Sequence, residues 1–402
     1  MGSVVLTLAL LELVLRVAGV PPIKTGHQRM LVEHDAIRGW RNIPHGRSDY
    51  SAREYRIRIE YNSRGLRGPE RPYAKAPGVY RVVVLGDSFV EGYSVADRDR
   101  VTEQLEQLLD GAAGPGRAEV IAFGTAGYST DQELLWLESE GVRYEPDLVI
   151  LMFNYNDVVY NDRSRYWRGA KPRFILDNGA LTLSNVPVPE VTEQDREQAG
   201  PDGRPIWASL TNWVKTRSRL YAVVLRGGDR IPWLAWLTAR AGPDAPMVRQ
   251  ELAVFQRNAP AEVERAWDIT RALIRRSKQV AERAGARFII FHIPFRESIY
   301  ADEWPRIRAR YGLSGEDWDV MEVRRRFLRL CDTTLECIEP TERFLAVAAE
   351  LAAKGDRLYY RYDNHWNPRG HGLAAEILGE HLQRTGFTRE NGVTDGRRAA
   401  GR

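Results

Sequence analysis

The segment RVVVLGDSFVEG, Arg81 to Gly92, constrains the fold more than any other stretch of the chain. Val82 to Leu85 is a short aliphatic run without polar alternation, the pattern of a strand buried on both faces. Strands of that kind belong to parallel sheets covered by helices on each side. Gly86 permits a tight turn and leaves Asp87 and Ser88 at the strand's carboxyl edge, where open α/β sheets bind their ligands. Helix capping by Asp87 or Ser88 would account for the same residues without any chemistry, so the rest of the chain has to decide.

Two further runs of the same type follow, AEVIAFG (Ala118 to Gly124) and DLVILMFN (Asp147 to Asn154). Between them, YSTDQELLWLESEG offers a capping box through Ser129 and Gln132 or through Thr130 and Glu133, with Gly141 as a stop. This is a βαβ unit, and its crossover hand gives a parallel sheet. After Asp157 the pattern departs over about 158–260, an insertion in which Asn178-Gly179 within FILDNGALTL predicts a hairpin. The tryptophans that follow the hairpin, Trp207, Trp213, Trp233 and Trp236, suit core packing and also the stacking of sugar rings. The sheet pattern resumes with a helix over about Ala261 to Ala284, a strand in ARFIIFHIP, another helix and a short strand near LECIEP. The last helix has Asn367 as N-cap, Pro368 at its first position and Gly386 past its end, which leaves His365 in the loop just before it.

The flanks read differently. Residues 1–22 are apolar, but the run from Val4 to Val20 is broken by Glu12 and Arg16, falls short of the roughly 20 residues that cross a bilayer, and has no basic residue before it. A membrane anchor is favoured there over a docked amphipathic helix. Residues 24–80 form a β-rich appendage, with EYRIRIEYNSRGLRG alternating like a half-exposed strand, and 389–402 have the composition of a disordered tail. Across 402 residues the chain is 43% hydrophobic, enough for a large core in the domain 81–388. Its net charge of +4 comes without a dense Lys/Arg block, which argues against nucleic acid as a partner. Cys331 and Cys337 read as two ordinary thiols, joined only if the domain sits in an oxidising compartment. No His/Asp/Glu cluster has metal-ligand spacing and no phosphate loop occurs, so neither metal nor cofactor is expected.

In a doubly wound sheet, Ser88, Gly124, the Asn156-Asp157 pair of FNYND, and Asp363 with His365 share one edge. A serine hydroxyl needs an imidazole to take its proton, and the imidazole needs a carboxylate on its other nitrogen. Ser88, His365 and Asp363 supply those groups. Backbone N–H groups of Ser88 and Gly124 and the amide of Asn156 would hold an oxyanion, with Asp87 and Asp157 in support. Asp87 also suits a plain turn-forming role. His371 is an alternative base inside the first turns of the last helix, and His292, ending the fourth strand, reads as a core histidine.

LGDSFVEG, FGTAGYSTDQE, FNYNDV and YDNHWNPRGHGLAAE match, in order and spacing, the four blocks of the SGNH or GDSL-type serine hydrolases. The resemblance spans Arg81 to Arg384 outside the insertion. It implies an α/β fold, a three-layer α/β/α sandwich on a parallel, flavodoxin-like sheet, and a serine esterase acting through an acyl-enzyme on an O-acetyl or short acyl group of a carbohydrate. Two departures stand out: Asn154 takes a place usually held by glycine, and Asp363 lies two residues before His365 where three is common. The resulting Asp-x-His-Trp block looks more like the bacterial polysaccharide O-acetyltransferases of the alginate type, in which a sugar hydroxyl would release the acyl group. A third reading, from a different class, is a non-catalytic glycan-binding protein using the same cleft. The resemblance further implies a cell-envelope protein, membrane-anchored or exported, with the cytoplasm left open. Its partners would be a small-molecule or carbohydrate ester and a membrane met through residues 4–20.

Overall fold

The computed structural model describes residues 2–23, 31–166, 169–190, 217–227 and 251–387. A helix, Gly2–Val17, comes first, and none of its residues is buried. Two antiparallel hairpins follow, β1 (Val32–Asp35) with β2 (Gly39–Asn42) and β3 (Arg47–Ser51) with β4 (Arg56–Glu60). In β4 the alternation is visible as exposed Arg56 and Arg58 around the partly and fully buried Ile57 and Ile59.

The central sheet is built from β5 (Tyr80–Gly86), β6 (Ala118–Gly124), β7 (Leu148–Phe153), β12 (Arg287–His292) and β13 (Glu336–Ile338). Its order is β6-β5-β7-β12-β13, and every pairing is parallel. Counted along the chain this is 2-1-3-4-5, the flavodoxin-like order, with the first strand next to the reversal point where such sheets bind ligands. Every residue of β5 is buried. Val82 and Val84 face the helices Val101–Ala113, Thr341–Ala352 and Pro368–Thr385, while Val83 and Leu85 face Thr130–Ser139, Ala261–Arg283 and Glu322–Leu330. Period-two alternation within an all-apolar run thus feeds two separate cores, one on each side of the sheet.

Between β7 and β12 the chain forms two small hairpins, β8 (Arg165–Tyr166) with β9 (Gly169–Ala170) and β10 (Arg173–Asp177) with β11 (Ala180–Ser184). Asn178 and Gly179 connect β10 to β11, both at positive φ as a two-residue turn of this kind requires. Trp207, Trp213, Trp233 and Trp236 and residues 389–402 lie outside the described residues.

Three local expectations need correcting. Ser129 is the N-cap of Thr130–Ser139, but neither capping box forms: its hydroxyl donates to Asp131 Oδ1 at 2.8 Å, and Gln132 Nε2 donates to the carbonyl of Arg38 at 2.7 Å. The reciprocal box occurs instead at Tyr155–Asn161, between Asn154 and Asp157. Cys331 and Cys337 are joined in a disulfide, their Cα atoms 5.9 Å apart, tying the end of Glu322–Leu330 to edge strand β13. Finally, no helix among the described residues is long and apolar enough to cross a membrane. Glu12, which interrupts the apolar run of the first helix, accepts from Ser218 Oγ and from the N–H groups of Arg219 and Leu220, capping the helix Arg219–Gly227. Burial there opposes ionisation, yet those bonds and Arg16 hold its carboxyl down at about 2.

Candidate active site

Ser88 begins a four-residue helix, Ser88–Glu91, that folds back over the ends of β5 and β6. Asp87 caps it, its Oδ1 accepting from Phe89 N–H at 2.9 Å. The fold-back is possible because two glycines lie beneath. Gly86 and Gly124 are partners in the register of β5 and β6. A Cβ on Gly86 would collide with the Val90 side chain, and one on Gly124 would sit 2.6 Å from the carbonyl carbon of Val90 and 2.8 Å from Cα of Glu91. Gly92, at φ 64°, ends the helix.

His365 reaches Ser88 from the loop before the last helix, with Nε2 2.7 Å from Ser88 Oγ. Its other nitrogen, Nδ1, lies 2.6 Å from Asp363 Oδ1. A carboxylate on Nδ1 assigns the proton to that nitrogen, which leaves the Nε2 lone pair facing the serine hydroxyl. Tyr55 donates to Asp363 Oδ2 at 2.6 Å, and Tyr93 OH lies 3.3 Å from both Asp363 oxygens and 2.9 Å from His365 Nδ1. The imidazole packs on Phe89, ring centroids 4.7 Å apart, and Phe89 in turn meets the buried indole of Trp366. The tryptophan of the Asp-x-His-Trp block is therefore a floor under the histidine loop. Ser88 itself stays partly exposed.

The asparagine block supports Asp87. Asn154 Nδ2 donates to Asp87 Oδ2 at 3.0 Å, and Asn156 Nδ2 lies 3.5 Å from the same oxygen. Asp157 turns away from the surface and accepts from Asn154 N–H at 2.9 Å. The carbonyl of Gly124 accepts from Asn42 Nδ2 of β2 at 3.1 Å. Of the other histidines, His371 is buried with Nδ1 receiving Val101 N–H, and burial pushes it down to about 3, so it stays neutral. His292 stacks on Phe327 and contacts Glu339, a core position.

Sequence reasoning missed a buried acidic group behind Asp87. Asp87, Asp131, Glu133 and Asp157 are all at most 1% exposed. Burial raises each of them; for Asp157 the nearby Asp87 adds to it, and for Glu133 so does Asp157. Asp131 is bonded to the equally buried Lys171, whereas neither oxygen of Glu133 has a hydrogen-bond partner among the described residues. An unpaired carboxyl in that position is held as the neutral acid. Tyr55 and Tyr93 were missed as well. Tyr93, five residues after Ser88, was within reach of local inspection; Tyr55 was not, being 308 residues from its partner.

The family model for GDSL-like lipases and acylhydrolases matches residues 84–309. The chain belongs to that family. A second model, the SGNH hydrolase-like domain of the acetyltransferase AlgX, matches residues 254–397, which include the Asp363 and His365 block of this GDSL-type chain. No curated protein matches it. Among solved structures, a lipase/acylhydrolase from Enterococcus faecalis is 12% identical, over 76% of this chain and 97% of its own, with a TM-score of 0.34. A GDSL-like lipase from Parabacteroides merdae is 12% identical over 79% and 100%, TM-score 0.39. A catalytic mutant of an acetylxylan esterase from Geobacillus stearothermophilus is 13% identical over 80% and 100%, TM-score 0.36. At these values none of the three bears on what this GDSL-family member acts upon.

Proposed function

We propose that the protein is a serine esterase that forms an acyl-enzyme on Ser88. The observation that carries this reading is the unbroken relay from Ser88 Oγ through His365 to Asp363, at 2.7 and 2.6 Å. His365 Nε2 takes the serine proton as Oγ attacks an ester carbonyl, and Asp363 balances the imidazolium that results. His365 then returns the proton to the departing alkoxide. The oxyanion would be met by the N–H of Ser88, at the open end of its helix, and by the Asn156 amide, whose hold on Asp87 is long at 3.5 Å. Gly124 was expected as a third donor. Its carbonyl accepts from Asn42 Nδ2, and its lack of a side chain is required by the helix above it. Ser88, Asn156 and the Gly124 N–H are the donors we propose.

A second reading differs only in what releases the acyl group. The match of residues 254–397 to the acetyltransferase model, and the Asp-x-His-Trp block inside it, favour an acetyl group and a sugar hydroxyl as acceptor. Both readings start with the same acyl-enzyme. Incubating the parent and Ser88→Ala with p-nitrophenyl acetate, with and without oligosaccharide acceptors, separates them. Acetate alone supports the esterase, acetylated sugar outrunning acetate supports the transferase, and equal turnover in Ser88→Ala contradicts both. Retained sugar binding without any turnover in the parent would point to the glycan-binding reading.

The placement at a membrane is part of the same proposal. Val4, Leu6, Leu10, Leu13 and Val17 are more than half exposed on the first helix, while Glu12 fastens that helix to Arg219–Gly227. A helix with this much exposed apolar surface would gain from burial in lipid. Cosedimentation with lipid vesicles, lost in a Leu10→Ser/Leu13→Ser variant, is the expected result; equal binding by the variant would contradict it.

A further inference from the structure

We propose that Glu54 and Tyr55, in the turn between β3 and β4, are positioning residues for the Asp363 and His365 pair, a role that rests on the triad reading above. The Glu54 carboxylate accepts the backbone N–H groups of Arg361 and Tyr362, each at 2.7 Å. Tyr55 donates to Asp363 Oδ2 at 2.6 Å while His365 uses Oδ1. One oxygen of Asp363 is thus held from the appendage and the other is presented to the imidazole, which fixes the rotation of the carboxylate. Neighbouring contacts grip the same loop: the Arg53 guanidinium lies 3.3 Å over the Tyr362 ring, and the Tyr55 ring packs on Tyr360, centroids 4.7 Å apart. Three consecutive residues of the turn therefore hold four consecutive residues of the loop.

The physical consequence concerns the charge on Asp363. This carboxylate is buried, and a buried carboxylate stays ionised only if donors and opposite charge reach it. Tyr55, Tyr93 and His365 contact it, and Glu54, Tyr360 and Arg296 are among the further titratable groups whose fields it shares. Removing the Tyr55 hydroxyl takes away the shortest tyrosine donor. Asp363 then holds its proton to higher pH, and while ionised it pulls harder on the imidazolium. Both changes move the loss of activity on the acid side to higher pH.

Full-length parent, Tyr55→Phe, Glu54→Gln, Glu54→Ala and Ser88→Ala are compared for p-nitrophenyl acetate hydrolysis from about pH 5 to 9. In Tyr55→Phe, kcat is expected to fall roughly tenfold, the rate equivalent of one hydrogen bond to a charged group, with KM unchanged and the acid limb shifted upward. Glu54→Gln keeps one acceptor oxygen and is expected to retain more activity than Glu54→Ala. A residue that merely stabilises the fold would lower Tm and leave the acid limb in place. If Tyr55→Phe does not fold, the order of the two Glu54 variants decides. A folded Tyr55→Phe with kcat and acid limb like the parent's, or equal activity in the two Glu54 variants, overturns the positioning role while an inactive Ser88→Ala leaves the triad standing. An active Ser88→Ala overturns the triad and this proposal with it.

Discussion

Gly86 and Gly124 stand opposite each other at the carboxyl ends of β5 and β6, and the helix that carries Ser88 rests on both. The site depends on that closeness. A methyl group on Gly124 meets backbone of Val90 and Glu91, which cannot swing aside as a side chain end could. Gly124→Ala is therefore expected to cost about 1–3 kcal/mol of stability, as overpacking does, and to lower kcat by about 100-fold or more through displacement of Ser88. Denaturant melts beside steady-state kinetics check it; a stable variant with parental kcat would contradict the account of the two glycines.

Asp363→Asn keeps the size of the side chain but presents an amide to His365 Nδ1. The amide can donate to that nitrogen, which moves the imidazole proton to Nε2 and takes away the base facing Ser88. On the proposed triad a loss in kcat of about 10⁴-fold is expected, by analogy with serine-histidine-aspartate enzymes. Proton NMR of the imidazole in parent and variant shows which nitrogen is protonated.

Much of this arrangement can be read from the chain alone, and the residues show why. β5, β6 and β7 announce themselves because strands covered on both faces are apolar runs, in which the only charged residues, Arg81 and Glu119, sit at the amino-terminal ends. Asn367, Pro368 and Gly386 mark the last helix because capping chemistry is local. Ser129 misled for a related reason: its sequence offers a capping box, but Asp131, two residues on, competes for the hydroxyl. Glu54, Tyr55 and Glu133 carry no local signal. Their roles arise from contacts between segments far apart in the chain, or from burial that no spacing reveals.

Glu133 gives the fold a pH dependence of definite sign. Burial, with Asp157 and Asp87 nearby, raises its folded pKa well above the ordinary value, so the folded state binds a proton that the unfolded state has lost. Stability from this group is greatest below the unfolded pKa and declines as pH rises toward the folded one. Glu133→Gln removes that titration. Its Tm is expected to exceed the parent's by a few degrees at alkaline pH, with the gap closing toward pH 4. A gap that widens in acid would contradict the assignment.

The disulfide between Cys331 and Cys337 closes a short loop at the edge of the sheet, away from Ser88. For a loop of that size the chain-entropy contribution is about 2–3 kcal/mol. Reduction is expected to lower Tm by several degrees and to leave kcat within about twofold at room temperature. Melting curves and assays with and without a phosphine reductant test both halves.

The most direct test of the account is chemical. Parent, Ser88→Ala and His365→Ala are treated with a fluorophosphonate and digested, and the modified peptide is identified by mass spectrometry. Label on Ser88 in the parent, none in Ser88→Ala, and labelling slowed at least about 100-fold in His365→Ala is the predicted result. A folded parent that takes no label, or takes it on another residue with Ser88→Ala labelling equally well, would contradict the claim that Ser88 is the nucleophile.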